Sequence, residues 1–144
     1  RHRISLKSGG TATVIDESYN ANPASMKATL RHFAGEKNAG RKIVLLGAMG
    51  ELGDQSAHFH TALADDILAS GAQAIVLVGD DMAHTAAKLE QGLDRGVKMS
   101  HAANASEALT EVAKLLSDGD LLLVKGSNYL GLSSAVSALV SGEY

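Results

Sequence analysis

The chain has no cysteine among its 144 residues. That excludes a disulfide framework and any thiolate metal site, and it fits a cytosolic protein. Basic charge is not in excess: 13 Lys and Arg against 16 Asp and Glu give a net charge of −3, which is no electrostatic footprint for nucleic acid. No apolar run approaches the ~20 residues that a membrane helix needs, and the opening residues do not read as a signal peptide. Internal repeats, low-complexity stretches and linkers are absent too. What is there is a globular composition, 45% hydrophobic and 20% charged, long enough for one domain with a real core. The chain opens on Arg1 without a methionine, straight into strand-like sequence. The expectation is a piece of a longer protein.

Strand and helix signals alternate. Ile4-Ser5-Leu6 and Thr11–Ile15 flank Ser8-Gly9-Gly10, a turn that predicts an antiparallel hairpin. The only proline, Pro23, follows Asn22, so a helix is predicted from Pro23 to about Ala34, with Met26, Leu30 and Phe33 on one face. Ile43–Leu46, Ala74–Val78 and Leu121–Val124 are wholly apolar runs without alternation, as parallel strands buried on both faces require. A helix from near Ser56 to Gly71 should bury Phe59, Leu63 and Ile67; a shorter one should bury Met82, Ala86 and Leu89. Val97–Met99 reads as a short edge strand, and Asn104 with Glu107 resembles a capping box ahead of Leu109, Val112, Ala113 and Leu116. A last helix from about Ser133 should bury Val136, Leu139 and Val140. The fold class is α/β: one three-layer, Rossmann-like domain over 1–144, mostly parallel, with an N-terminal antiparallel hairpin strand.

If the buried strands are parallel, the loops 16–22, 47–55, 79–81 and 125–132 all open on one edge of the sheet, where ligands bind in such folds. They carry Asp16, Glu17, Tyr19, Asn20, Asn22, Glu51, Asp80, Asp81, Lys125, Ser127 and Asn128. Loop composition alone leaves DESYNAN readable as a capped turn. Lys125, at the end of an apolar strand, either meets an anion in the crevice or snorkels to solvent. Gly47, Gly50 and Gly53 form G-x-x-G-x-x-G, not the dinucleotide fingerprint, and no G-x-x-x-x-G-K-[ST] exists, so this chain cannot hold a nucleoside triphosphate in the usual way alone. His58 and His60 are spaced wrongly for a zinc pair; His58 should be exposed and His60 partly buried. No G-x-S-x-G elbow supports serine hydrolysis.

Taken together, Asp16-Glu17-Ser18-Tyr19-Asn20-Ala21-Asn22-Pro23, then Leu46-Gly47-Ala48-Met49-Gly50-Glu51-Leu52-Gly53 with His60 downstream, then Val124-Lys125-Gly126-Ser127, resemble the Mur ligases in order and spacing. The resemblance covers essentially the whole chain and is nearest to the branch that adds D-alanyl-D-alanine. It implies the C-terminal domain of a three-domain cytoplasmic bacterial enzyme of peptidoglycan precursor synthesis. An N-terminal domain would bind UDP-N-acetylmuramoyl-tripeptide, and a central domain would carry the P-loop with most of the ATP and Mg2+ contacts. The implied chemistry is ATP-dependent amide ligation through an acyl phosphate, which the amine of D-Ala-D-Ala attacks. The resemblance places Asp16, Glu17, Tyr19, Asn20 and Asn22 on the ATP side, and Lys125, Ser127 and Glu51 on the amino-substrate side. His60 and Asn128 fall at motif positions without an assigned role. No catalytic residue and no metal ligand is assigned within the chain, and the chain alone is expected to be inactive. Ala48 stands where the family often has an acid, and Asn128 where it often has arginine, so no charge acts at those positions. The rival reading is a free-standing α/β module that binds a nucleotide or amino acid without catalysis; a receiver-like domain fits less well, because Asp16-Glu17 follow a hairpin strand.

Overall fold

The computed structural model describes all residues, 1–144. Two glycines make the first turn: Gly9 and Gly10 take φ of 102° and 82°, a region that side-chain-bearing residues avoid. The turn joins β1 (His2–Ser5) to β2 (Thr11–Glu17) as an antiparallel pair. The other strands are β3 (Lys42–Gly47), β4 (Ala74–Val78), β5 (Lys98–Ala102) and β6 (Leu121–Lys125). Their order is β1-β2-β6-β3-β4-β5, and every pair beyond the hairpin is parallel.

The apolar runs alternate between two cores because strand side chains alternate between faces. Ile43, Leu45, Leu122 and Val124 join one cluster; Val44, Leu46, Leu121 and Leu123 join the other. Each cluster holds 18 buried residues, so the sheet is covered equally on both faces. Helices α1 (Pro23–Ala34), α2 (Ser56–Ala69) and α3 (Met82–Glu90) cover the second face. Helices α4 (Ala105–Leu115) and α5 (Leu132–Ser141) cover the first.

Several details differ from the sequence reading; the edge strand, expected over Val97–Met99, runs Lys98–Ala102. Helix α5 begins at Leu132, so its buried stripe is Leu132, Ala135, Val136 and Leu139, and Val140 is left 47% exposed. Helix α2 buries His60, Leu63, Ala64 and Ile67, with Phe59 at the margin. At α4 the Asn104 side chain accepts from the Glu107 amide at 2.9 Å, while the Glu107 carboxylate reaches the amide of Ala103 rather than that of Asn104.

The connections fix where a crevice can form. β2 and β3 send the chain into α1 and α2 on one face, whereas β6 sends it into α5 on the other. β6 lies between β2 and β3. Both junctions beside the carboxyl end of β6 are therefore topological switch points, where the outgoing chains diverge and leave room for a ligand.

Candidate functional site

β1 reaches only as far as Val14, so Ile15–Glu17 continue beyond it and pair with β6 alone, with Glu17 level with Lys125. The loop that follows organises itself. Asp16 accepts from the Ser18 amide at 2.9 Å and also from the Ser18 hydroxyl, a turn that uses up one of its carboxylate oxygens. Glu17 accepts from the Tyr19 hydroxyl at 3.0 Å. That bond, and then the negative charge of Glu17, push the Tyr19 phenol above its ordinary value, with smaller help from burial and Asp16. Asn22 caps α1: its Oδ1 accepts from the Ser25 amide at 2.8 Å, and its own amide donates to Ser25 Oγ at 3.2 Å.

Lys125 does not snorkel. It is only 4% exposed, and its Nζ donates to the Asn20 carbonyl at 2.9 Å. Burial pushes the ammonium below its ordinary value, and the neighbouring Glu17 charge opposes that shift. An ammonium has three donors, so the bond to Asn20 leaves capacity for an anion. Two residues on, buried Ser127 accepts through Oγ from the Gly50 amide at 2.9 Å. Glycine is needed where these loops meet. A Cβ on Gly126 would lie 2.6 Å from Leu132 Cδ1 and 3.1 Å from Gly47 Cα; one on Gly47 would lie 2.6 Å from Leu130 Cδ1. Asn128 is exposed and opens a single 3-10 turn to Leu130.

The loop after β3 is held from three sides. The amides of Ala48, Met49 and Gly50 donate to Val78 O at 2.8 Å, His60 Nε2 at 3.0 Å and Ser127 Oγ at 2.9 Å. Glu51 follows with φ of 59°, the one non-glycine residue in the left-handed region, at a cost of about 1–2 kcal/mol. Its side chain is exposed. His60 is fully buried, not partly as its helical position implied, because its ring serves as an acceptor inside the protein. His58 is exposed, as expected.

The structure thus brings Glu17, Asn20 and Lys125 together and joins Ser127 to the loop that carries Glu51. Asp16 and Asn22 spend oxygens on their own loop and helix. One further residue went unnoticed in the sequence. Tyr129 is 67% exposed, yet a Cβ on Gly50 would lie 3.2 Å from its Cε1, so its ring stands against the backbone of the Glu51 loop. Burial, and then the charges of Asp81 and Asp80, push its phenol upward. Its signal was an aromatic directly after the polar run Ser127-Asn128 in a chain with three tyrosines. No group of three or more His, Asp or Glu side chains gathers in the structure. The apolar cavity of 380 Å³ between the first hairpin, α4 and Tyr144 shares no residue with these loops.

Residues 2–128 match the family described as Mur ligase, glutamate ligase domain. Across 99% of its length the chain is 32% identical to a UDP-N-acetylmuramoyl-tripeptide–D-alanyl-D-alanine ligase of Mycobacterium tuberculosis, covering 32% of that protein. A ligase of the same name from Bacillus subtilis is 29% identical over 94% of the chain and 29% of its own length. Among solved structures, MurF from Acinetobacter baumannii superposes with a TM-score of 0.75 at 25% identity, over 96% of this chain and 29% of that one. MurF ligase from Thermotoga maritima, solved in complex with ADP, shares the fold at a TM-score of 0.71 and 18% identity, over 98% of this chain and 30% of that one. The chain spans about a third of the length of the curated relatives it matches.

Proposed function

The chain belongs to the Mur ligase family, as its glutamate ligase domain, and from that membership we propose that it is the C-terminal domain of an ATP-dependent amide ligase of peptidoglycan precursor synthesis. The complete enzyme joins D-Ala-D-Ala to UDP-N-acetylmuramoyl-tripeptide in the cytoplasm. An N-terminal domain holds the UDP-linked peptide, and a central domain holds ATP and Mg2+. The peptide carboxylate takes the γ-phosphoryl group of ATP. The amine of D-Ala-D-Ala then attacks the acyl phosphate, the new C–N bond forms, phosphate leaves, and the amine gives up its proton.

This domain's part is to close the site and present the amine. Closing excludes water from an acyl phosphate that water would otherwise hydrolyse, and it converts an encounter into a held geometry. Asp16, Glu17, Tyr19, Asn20 and Asn22 face the nucleotide. Glu17 and Tyr19, already hydrogen-bonded to each other at 3.0 Å, suit ribose hydroxyls, which both donate and accept. Lys125 and Ser127 take the D-Ala-D-Ala carboxylate, and Glu51 takes its ammonium before reaction. The observation that carries the reading is Lys125: a cation 4% exposed, beside Glu17 and at the switch point, with donors beyond the one that Asn20 uses.

The test is product formation by the intact enzyme. UDP-N-acetylmuramoyl-tripeptide, ATP, Mg2+ and D-Ala-D-Ala should yield the UDP-linked pentapeptide by mass spectrometry. Ligation of glutamate in its place, or no product from any amino donor, would overturn the assignment.

A further inference from the structure

Four groups stand in series behind the loop after β3. The Met49 amide donates to His60 Nε2 at 3.0 Å. A backbone amide can only donate, so Nε2 carries the lone pair and Nδ1 the proton. Nδ1–H is shared between Ser56 O at 2.8 Å and Ser56 Oγ at 3.2 Å, and the Ser56 hydroxyl donates onward to Asp81 Oδ2 at 2.9 Å. Every bond points the same way, ending on a carboxylate in the loop after β4. Thr85 Oγ1 donates to His60 O at 2.7 Å from α3 and fixes the ring's own backbone. His60 is fully buried, so its bond to the Met49 amide is shielded from water, while Ser56 and Asp81 are partly buried.

What the series holds is unusual. The pinned amides of Ala48, Met49 and Gly50 run directly into Glu51, whose backbone is left-handed and whose side chain is exposed. Such a conformation persists in a non-glycine residue only where the surroundings over-determine it. The fold itself gains nothing from the Glu51 carboxylate, which bonds to no other part of the chain.

We propose that Asp81, Ser56 and His60 form a positioning relay that sets the backbone of residues 48–51 and so aims Glu51 at the incoming amine. The inference rests on the function proposed above. None of the three touches substrate; they act through the Met49 amide.

The test uses the intact ligase with Ser56→Ala, Ser56→Thr and Asp81→Ala. Ser56→Ala and Asp81→Ala should each raise the KM for D-Ala-D-Ala about threefold to tenfold, the scale of one hydrogen bond, with the KM for ATP unchanged. Backbone hydrogen exchange of residues 48–51 should quicken in both, and Ser56→Thr, which keeps the hydroxyl, should restore both readouts. Unchanged loop exchange in the alanine variants would overturn the relay, as would an equal rise in both KM values. Because exchange is read without substrate, it judges the relay even if the wild-type enzyme uses another amino donor, which would instead refute the proposed function.

Discussion

Replacing Lys125 by methionine separates a structural lysine from a ligand-binding one. Methionine keeps most of the stem that packs at the end of β6 and removes only the ammonium. The bond from Nζ to Asn20 O, 2.9 Å long, is lost; hydrogen bonds to charged groups contribute about 1.5–3 kcal/mol. Against that, a charge that is 4% exposed no longer has to be held out of water, a cost of several kcal/mol. The two oppose each other, so the net change in stability should be smaller than the larger of them, and thermal unfolding reads it as a shift in Tm. Binding has no such offset. If the remaining donors hold the substrate carboxylate, losing them costs a further 1.5–3 kcal/mol or so, about tenfold to hundredfold in the KM for D-Ala-D-Ala, with the KM for ATP nearly constant. Steady-state phosphate release by the intact enzyme reads both constants. An unchanged KM for D-Ala-D-Ala would make Lys125 only a clamp for the Asn20 loop and refute the reasoning. The lysine leaves a pH signature as well. Its folded value is pushed below the ordinary 10.5, so between the two values the unfolded chain binds more protons. Stability should then gain from this group as pH rises through that window, and Lys125→Met should abolish the gain.

Other substitutions test other parts of the edge. Glu17→Gln should raise the KM for ATP and bring the Tyr19 phenol back toward its ordinary value in an ultraviolet titration; no change in either would remove Glu17 from the nucleotide side. Asn22→Ala should cost about 1 kcal/mol through the lost α1 cap and also raise the KM for ATP, whereas a lowered Tm with an unaltered KM would leave Asn22 a cap alone. Gly126→Ala puts a Cβ 2.6 Å from Leu132 Cδ1 and 3.1 Å from Gly47 Cα; overpacking there should destabilise by about 1–3 kcal/mol, and wild-type thermal unfolding would show that the two loops can separate freely.

Local signals carried much of the fold. Apolar runs without alternation marked β3, β4 and β6, and Ser8-Gly9-Gly10 marked the hairpin, because burial on both faces and left-handed turns restrict residue type directly. Which strand lies beside which was not legible. Placing β6 between β2 and β3 is a long-range pairing, and no residue in Leu121–Lys125 names its neighbour. Val140 was misplaced for a smaller reason: Val136, Leu139 and Val140 also form a helical stripe, and only the start at Leu132 decides which stripe faces inward. In the site, the motif residues were visible but their partners were not. Ser127 finds the Gly50 amide across the fold, where the loops after β3 and β6 meet, and His60 turns back from α2 onto the Met49 amide 11 residues earlier. Ser56 and Asp81, 25 residues apart in the chain, had no sequence signal linking them.

The most direct measurement is phosphate release from ATP by the complete enzyme and by the same enzyme cut just before residue 1, each with UDP-N-acetylmuramoyl-tripeptide and with or without D-Ala-D-Ala. If this domain closes the site and presents the amine, the complete enzyme releases phosphate in a D-Ala-D-Ala-dependent manner, and neither the truncated enzyme nor residues 1–144 alone does so. D-Ala-D-Ala-dependent release by the truncated enzyme would contradict that role.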